Sequence, residues 1–150
     1  MKAVRLELFP KSTIDVFVNV IEEDGLSSAI ANSTVAATCA LIDAGIEMLG
    51  MVTSCSVALR GGVMLVDPTA KEEEGSDGVV SVSTMAAVGV TTSVCQTGDM
   101  NPIEVTRVSY PSMLKLVAEL RFQCIETASA RCLDIHRVIG QTMRQTRTIS

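Results

Sequence analysis

The last quarter of the chain carries apolar residues at helical spacing, and this stripe constrains the fold more than any other feature. Its members are Met113, Val117, Leu120, Cys124, Ala128, Cys132, Ile135, Ile139 and Met143. Pro111 suits the first turn of such a helix, and the pattern extends it to about Arg147, which is roughly 55 Å at 1.5 Å per residue. Because the stripe lacks sustained heptads, it predicts a long amphipathic helix on a core rather than a coiled coil.

The first twenty-odd residues carry two different patterns. Residues 1–9 are typical of the end of a helix, which Pro10 stops. Residues 13–22 alternate apolar and polar side chains, and this period of two predicts a strand. One face of the strand is apolar, and the other mixes Asp15 with Phe17, so both faces are expected to be at least partly covered.

The middle of the chain predicts one helix and four further strands. A helix is predicted over residues 28–44, which are rich in Ala, Ser and Thr. Its side chains are small on most sides, so it is expected to pack closely between two layers. Ser27 or Ser28 is the predicted cap of its first turn, and Gly45 is a good residue to end it. The strands are predicted at 51–60 and 62–67, joined by Gly61-Gly62, and at 79–87 and 90–96, joined near Gly89. The acidic segment 68–78 is predicted as a flexible turn, and residues 98–108 as a loop.

This order of elements predicts an α+β fold with one sheet and two main helices. Both helices are expected on one face of the sheet, which leaves the other face for a partner. The chain has 150 residues, of which 47% are apolar and only 3% aromatic, so one domain with an aliphatic core is expected.

Composition also bears on function. The net charge of −5 lacks the basic excess that a freestanding nucleic-acid binder usually carries. No apolar run reaches the length of a membrane span, and residues 1–9 do not have the pattern of a signal peptide. The five dispersed cysteines and the single His136 do not form a zinc motif, and the cysteines are expected to be buried thiols in a reducing compartment. The cysteines are Cys39, Cys55, Cys95, Cys124 and Cys132.

Two stretches carry residues suited to chemistry. The turn from Asp24 to Ser28 feeds a helix start, where free N–H groups and the helix dipole favour an anion, although such turns usually serve only as caps. Asp67, at a predicted strand end, precedes a run of glutamates that could hold Mg²⁺ or act as acid and base, although acidic runs usually face water. His136 is expected at the surface. The arginines near the end of the chain suit a helix C-terminus, and contact with RNA is the less favoured alternative role. They are Arg137, Arg144 and Arg147.

Four motifs in order resemble the second half of an RNase PH-type domain. They are FPKSTIDVFVNVIEEDG at 9–25, ALIDAGIEM at 40–48, TSCSVAL at 53–59 and VMLVDPTAKEEE at 63–74. The likeness covers residues 4 to 147, and it is nearest to the RNase PH-like subunits of the eukaryotic RNA exosome ring that are regarded as non-catalytic. It implies an RNase PH-like fold, of the ribosomal protein S5 domain 2-like class, with a mixed sheet. Residues 1–150 are then one domain that corresponds to the C-terminal half of the family domain, with the first half absent.

The resemblance implies specific roles for five residues. In active members a turn with a terminal Arg binds phosphate, and the matching residues here include Gly25, Ser27 and Ser28, with Ser28 in the place of the Arg. A paired acidic motif carries the metal or acid function, and Asp67 matches its first Asp while Glu73 stands at its second. Arg binds phosphate through charge and two parallel hydrogen bonds, which Ser cannot supply. Both departures predict a weak phosphate site and vestigial catalytic residues.

Three functions remain open at this point. The first is a non-catalytic exosome-ring subunit in nucleus, nucleolus and cytoplasm, which assembles with other RNase PH-like subunits as a hetero-oligomer or homo-oligomer around single-stranded RNA. The second is an active phosphate-dependent 3′-to-5′ exoribonuclease that releases nucleoside diphosphates and uses Mg²⁺ and phosphate. The third is an unrelated interaction module on the same fold. The first needs no cofactor, and none of the three involves a membrane.

Overall fold

The computed structural model describes residues 3–98 and 111–149, with side chains of the last helix described at Glu119 and at 121–145. Within these described residues there are three α-helices and four strands. They are α1 (Leu26–Asp43), β1 (Val52–Arg60), β2 (Val63–Val66), α2 (Ala70–Glu74), β3 (Gly78–Met85), β4 (Val90–Gly98) and α3 (Pro111–Ile149). The predicted α+β class, both pairs of strands and both main helices are confirmed. None of the described helices is long and apolar enough to cross a bilayer.

The four strands form one sheet in the order β2-β1-β3-β4. Every strand pairing among the described residues is antiparallel, whereas the resemblance implied a mixed sheet. Gly61 and Gly62 join β1 to β2 with φ of 55° and 83°, and two positive φ angles are what a tight two-residue hairpin requires. The β1–β3 pairing places Cys55 opposite Val82 and Ser56 opposite Ser81, which fixes the face on which each side chain lies.

The two main helices lie on opposite faces of the sheet. Cys55, Val57 and Leu59 alternate along β1 and form one buried cluster with Cys124, Ala128 and Cys132 of α3. The intervening Ser56 projects to the other face, where its hydroxyl contacts Ser28 of α1. The expectation that both helices share one face was therefore wrong. It failed because β1 is buried along almost its whole length, which requires cover on both sides.

The side of the sheet under α1 is built from small residues. Ser54, Ser56 and Ala58 of β1 lie beside Ser81 and Ser83 of β3. The Ser83 hydroxyl donates to the Ser54 oxygen at 3.0 Å, and Ser54 in turn donates to the Val82 carbonyl at 3.2 Å. These bonds satisfy buried hydroxyls that would otherwise be costly. Small side chains on both surfaces suit the contact between α1 and the sheet. The predicted position of this helix between two layers is wrong, because only Ala31 and Thr38 of α1 are buried and its outer side is exposed.

The predicted strand at 13–22 is not formed. Residues 12–20 have no regular secondary structure, and Phe17 and Ile21 are 93% and 96% exposed. Among the described residues, no strand lies beside this segment to accept its backbone hydrogen bonds. A strand pattern describes the side chains alone, and pairing also needs a neighbouring edge. The segment therefore runs over the surface with its apolar side chains in solvent.

Four other predictions need correction or fall outside the described residues. The described part of the segment 1–9, residues 3–9, contains no α-helix. It contains a short 3₁₀ turn at Leu6–Leu8, and Val4 bridges Met48. The acidic turn at 68–78 contains the short helix α2. Of the predicted loop at 98–108, only residue 98 is described, and it ends β4. The side chains of Met113, Val117 and Leu120 in the helical stripe also lie outside the described set.

Candidate functional site

The candidate turn enters α1 through Gly25. This glycine has φ of 146°, and a side chain at its Cα would come within 2.6 Å of the Pro68 carbonyl oxygen. Only glycine tolerates both the conformation and the close approach. Gly25 stands at the cap position and provides no side-chain cap. The predicted capping by Ser27 or Ser28 is therefore wrong, since both residues lie inside the first helical turn.

Two of the free N–H groups of that first turn are satisfied by Glu73, from a different part of the chain. The Leu26 N–H donates to Glu73 Oε2 at 3.1 Å, and the Ser27 N–H donates to Glu73 Oε1 at 2.9 Å. One carboxylate oxygen serves each amide. A negative charge at the positive end of α1 is also favoured by the helix dipole. Glu73 thus takes the place of a cap on the helix.

The hydroxyl of Ser28 is used inside the fold. It donates to the Pro68 carbonyl oxygen at 2.9 Å and lies 3.2 Å from the Ser56 hydroxyl oxygen. Because Ser28 donates to Pro68, the hydrogen between the two hydroxyls comes from Ser56. Ser28 therefore ties α1 both to β1 and to the loop after β2. It presents no cation to the turn.

Asp67 follows β2 directly and has a strained backbone. Its φ is 57°, in the left-handed region that non-glycine residues rarely adopt. The Asp67 N–H donates to the Ser56 carbonyl at 2.9 Å, which extends the β1–β2 pairing by one bond and holds this conformation. Left-handed strain is frequent at functional positions. Its position after the strand agrees with the place that the sequence assigned to it.

A cavity of about 610 Å³ lies between α1, the segment 18–25 and the loop 67–69. Gly25, Ser28 and Asp67 all line it, so the structure brings these candidate residues together. Its lining also includes three consecutive acids, at 22–24. The described lining contains no lysine, arginine or histidine. The cavity is consequently acidic, and its electrostatic field disfavours a phosphate group.

Another cavity, of about 230 Å³, also lined by Asp67, lies between α1, β1 and α3. Arg131 and Asp134 of α3 line it and form an ion pair at 3.4 Å. Buried Cys55 also lines it. Burial chiefly raises the pKa of the Cys55 thiol, to about 11, with smaller contributions in the same direction from Cys132 and Asp67. Cys55 is therefore a protonated core thiol rather than a nucleophile.

Glu73 is held in position by the short helix α2. Thr69 and Glu72 form a capping box, in which the N–H and hydroxyl of Thr69 both donate to Glu72 Oε2 at 2.9 Å. These two bonds lower the pKa of the Glu72 carboxyl. The Glu73 N–H donates to the Thr69 carbonyl at 2.8 Å. The acidic run is therefore partly structural, since at least two of its three glutamates make defined hydrogen bonds.

The described residues do not provide a set of ligands for the magnesium ion that the resemblance implies. Among the residues that the structure describes, no group of three or more His, Cys, Asp or Glu side chains is arranged to hold a metal. Asp67 would have to be joined by ligands from elsewhere. Glu73, the second member of the acidic motif, is directed to the amides of Leu26 and Ser27 instead.

The remaining candidates lie apart from this site. His136 is partly buried rather than at the surface, and its Nδ1 has no hydrogen-bond partner among the described residues. Arg137 pairs with Asp134 at 3.6 Å on α3. The side chain of Arg147 falls outside the described set. Three of the five cysteines are buried as expected, Cys39 is partly buried and Cys95 is exposed.

Sequence reasoning missed two parts of the site, Ser56 and the amide of Leu26. Ser56 stands in an apolar run, and its signal was the alternation of Ser54 and Ser56 with apolar neighbours. That period indicates that one face of β1 is polar and has a polar partner. The Leu26 amide has no sequence signal, because its partner lies 47 residues away.

Comparison with known proteins shows the family of the chain. Residues 1–47 match the model of the 3′ exoribonuclease family, domain 1, and residues 50–109 match the model of domain 2 of the same family. The chain belongs to the 3′ exoribonuclease (RNase PH) family. The solved structure of Rrp46 from rice superposes with a TM-score of 0.60 and 21% identity, over 81% of this chain and 51% of that one. This likeness shows that the fold is RNase PH-like.

Several family members similar to this chain are named as exosome components. The exosome complex component RRP41-like of Arabidopsis thaliana is 35% identical over 141 residues, which are 94% of this chain and 46% of that protein. The exosome complex component mtr3 of Schizosaccharomyces pombe is 30% identical over 141 residues, which are 91% of this chain and 50% of that protein. The chain thus spans about half the length of these relatives.

Proposed function

We propose that this family member is a non-catalytic RNase PH-like subunit of the RNA exosome core, which contributes to the ring and to the path of RNA in 3′-to-5′ processing. The observation that carries the proposal is the acidic cavity at the candidate turn. Its lining brings Asp67 together with the acids at 22–24 and includes no cation among the described residues. Catalysis by phosphorolysis requires a phosphate dianion to be held beside RNA, and this field opposes both.

The replacement at Ser28 supports the same proposal. A guanidinium at this position would supply charge and two parallel hydrogen bonds to phosphate. The Ser28 hydroxyl instead bonds to Pro68 and Ser56 within the fold. Loss of one preorganised donor commonly reduces the rate by about 10²–10³-fold. A turn without its cation is thus expected to be inactive even where the backbone is preserved.

The partners proposed are other RNase PH-like subunits, with single-stranded RNA passing through the assembly. Similarity to proteins named as exosome components supports this over 91–94% of the chain. The exposed apolar segment 13–22, with Phe17 and Ile21 almost fully in solvent, offers surface for such contacts. We propose the nucleus, nucleolus and cytoplasm as its location by the same resemblance.

An active exoribonuclease is the second candidate, and Asp67 is the observation that favours it. Asp67 keeps the motif position after β2, its backbone is strained, and it lines the cavity at the turn. In that case Asp67 would carry the acid or metal function and phosphate would bind at Gly25–Ser28. Magnesium and phosphate would then be required.

Phosphorolysis of a labelled single-stranded RNA separates the two candidates. The parent chain, alone and with RNase PH-like partner subunits, is expected to release no nucleoside diphosphate in a phosphate-dependent manner. Phosphate-dependent release that disappears in Asp67→Ala would overturn the non-catalytic proposal. The ring role is tested independently by co-purification with such subunits, and stable association is expected. A chain that stays monomeric and does not bind these subunits would contradict the ring role.

A further inference from the structure

The N-terminus of α1 is already bonded to an anion, and that anion belongs to the chain itself. A helix N-terminus attracts anions because its first N–H groups lack partners within the helix. Here the amides of Leu26 and Ser27 each donate to one oxygen of Glu73, at 3.1 and 2.9 Å. A phosphate that bonded to these two amides would have to displace Glu73. Glu73 and phosphate therefore compete for the same two donors.

The backbone of Glu73 is held close to the α1 turn by several hydrogen bonds. Its own N–H donates to Thr69, and its carbonyl accepts from the Ser76 hydroxyl at 2.7 Å and the Ser76 N–H at 3.1 Å. The Ala70 N–H at the start of α2 donates to the Asp24 carbonyl at 2.7 Å, next to the turn. The backbone that carries the carboxylate is thus bonded on both sides and tied to the residue that precedes Gly25.

The turn also has little space beside the carboxylate. A Cβ built on Gly25 would lie 2.6 Å from the Pro68 carbonyl oxygen and 3.2 Å from Glu73 Oε1. Both of these atoms are oxygens, and they approach the turn from the same side. A second anion would meet their negative charge as well as the acids of the adjoining cavity.

We propose that Glu73 is a built-in counter-anion that closes the α1 turn against phosphate, in the manner of an autoinhibitory contact. The proposal deepens the proposed function, because it gives the inactive turn a second cause besides the missing cation at Ser28. It has a specific consequence. Ser28→Arg alone does not make the turn a phosphate site, whereas removal of the Glu73 carboxylate exposes the two amides.

The test uses inorganic phosphate as the probe and the full chain as the protein, at constant pH and ionic strength. The variants are Glu73→Ala, Ser28→Arg and the double variant, with Glu74→Ala as the matched control because Glu74 is an exposed neighbour in the same run. Binding is read from phosphate-dependent shifts of the Leu26 and Ser27 amide resonances in ¹⁵N spectra. Circular dichroism establishes that each variant is folded.

The parent, Glu74→Ala and Ser28→Arg are expected to show no saturable shift at these amides in millimolar phosphate. Glu73→Ala is expected to bind phosphate there at least about tenfold more tightly than the weakest binding that the parent's titration could detect, and the double variant about tenfold more tightly again. Glu73→Gln keeps the shape and one acceptor without the charge, so it should gain in the same direction by less. It also serves as the test if Glu73→Ala does not fold.

Two results would overturn the proposal. One is a parent chain that binds phosphate at Leu26 and Ser27 as tightly as Glu73→Ala. The other is a folded Glu73→Ala or Glu73→Gln that gains no more than Glu74→Ala. Neither result restores activity, so the proposed non-catalytic function is judged separately, by phosphorolysis. If the parent phosphorolyses RNA while phosphate does not shift its Leu26 and Ser27 amide resonances, the proposed non-catalytic function is wrong. The proposed closure of the turn by Glu73 would still hold.

Discussion

The hydroxyl oxygen of Ser28 in α1 lies 3.2 Å from the hydroxyl oxygen of Ser56 in β1, and the same Ser28 group donates to Pro68. These two contacts join the first turn of the helix to the middle of the sheet and to the loop that carries Asp67. The residue that stands in place of a phosphate-binding arginine has thus become part of the internal packing. Its expected role is to stabilise the fold.

Removal of this hydroxyl should therefore lower stability. Ser28→Ala leaves the buried Ser56 hydroxyl and the Pro68 carbonyl without their partner, and an unsatisfied buried polar group costs about 1–3 kcal/mol. Urea denaturation should show a lower free energy of unfolding by about this amount. Ser27→Ala, in the same turn, is the control and should change stability by less than about 0.5 kcal/mol. Equal effects from both variants would show that the Ser28–Ser56 contact is not a source of stability.

Burial rather than helix membership should decide the effect of core substitutions. Met85 at the end of β3 is fully buried and packs beside Gly50, whereas Leu41 of α1 is only partly buried. Met85→Ala should cost about 2–5 kcal/mol, the range for a buried large side chain, and Leu41→Ala should cost less. Guanidinium unfolding of the two variants gives the comparison. A larger loss in Leu41→Ala would mean that α1 is buried more deeply than described.

The parts of the fold that were predicted correctly are those whose signals lie close together in the sequence. The hairpin at Gly61-Gly62 was predictable because two adjacent glycines favour one turn and the flanking residues pair with each other. The strand predicted at 13–22 is not formed. Its residue pattern is right for a strand, but a strand also needs a neighbouring strand to pair with, and the local pattern does not show whether one is present. The placement of α1 and α3 on opposite faces of the sheet was also missed. The alternating serines of β1 marked a second covered face, but the apolar composition of the strand made this signal hard to see.

The candidate site divides in the same way. Asp67 was found because a carboxylate directly after an apolar strand is a visible signal, and its place in the cavity agrees with that expectation. Glu73 was singled out as an acidic residue, yet its bonds to Leu26 and Ser27 span 46–47 residues. A pairing of that separation depends on how α2 is set against α1, which no local pattern specifies.

The thiol of Cys55 gives the chain a dependence on alkaline pH. Burial raises its pKa in the folded state to about 11, above the ordinary value of 9.0 for the thiol in the unfolded chain. The folded state therefore holds this proton more tightly, and the resulting stability is complete below pH 9 and is lost as pH rises toward 11. The free energy of unfolding should fall less steeply across this window in Cys55→Ala than in the parent. Parallel slopes would contradict the assignment.

The exposed segment at 13–22 leads to the prediction that most directly concerns assembly. Phe17 and Ile21 are 93% and 96% exposed, so Phe17→Asp and Ile21→Asp remove almost no internal packing and should change the free energy of unfolding by less than about 0.5 kcal/mol. If RNase PH-like partner subunits cover this segment, each variant buries a charge in the interface, and affinity should fall by at least about tenfold, or about 1.4 kcal/mol. Val138→Asp, on the exposed side of α3, is a matched control at 62% exposure and should bind as the parent does. Affinity can be measured by surface plasmon resonance with purified partner subunits. Unchanged binding by both segment variants, with stability intact, would show that subunits associate through another surface and that these apolar side chains stay in solvent in the assembly.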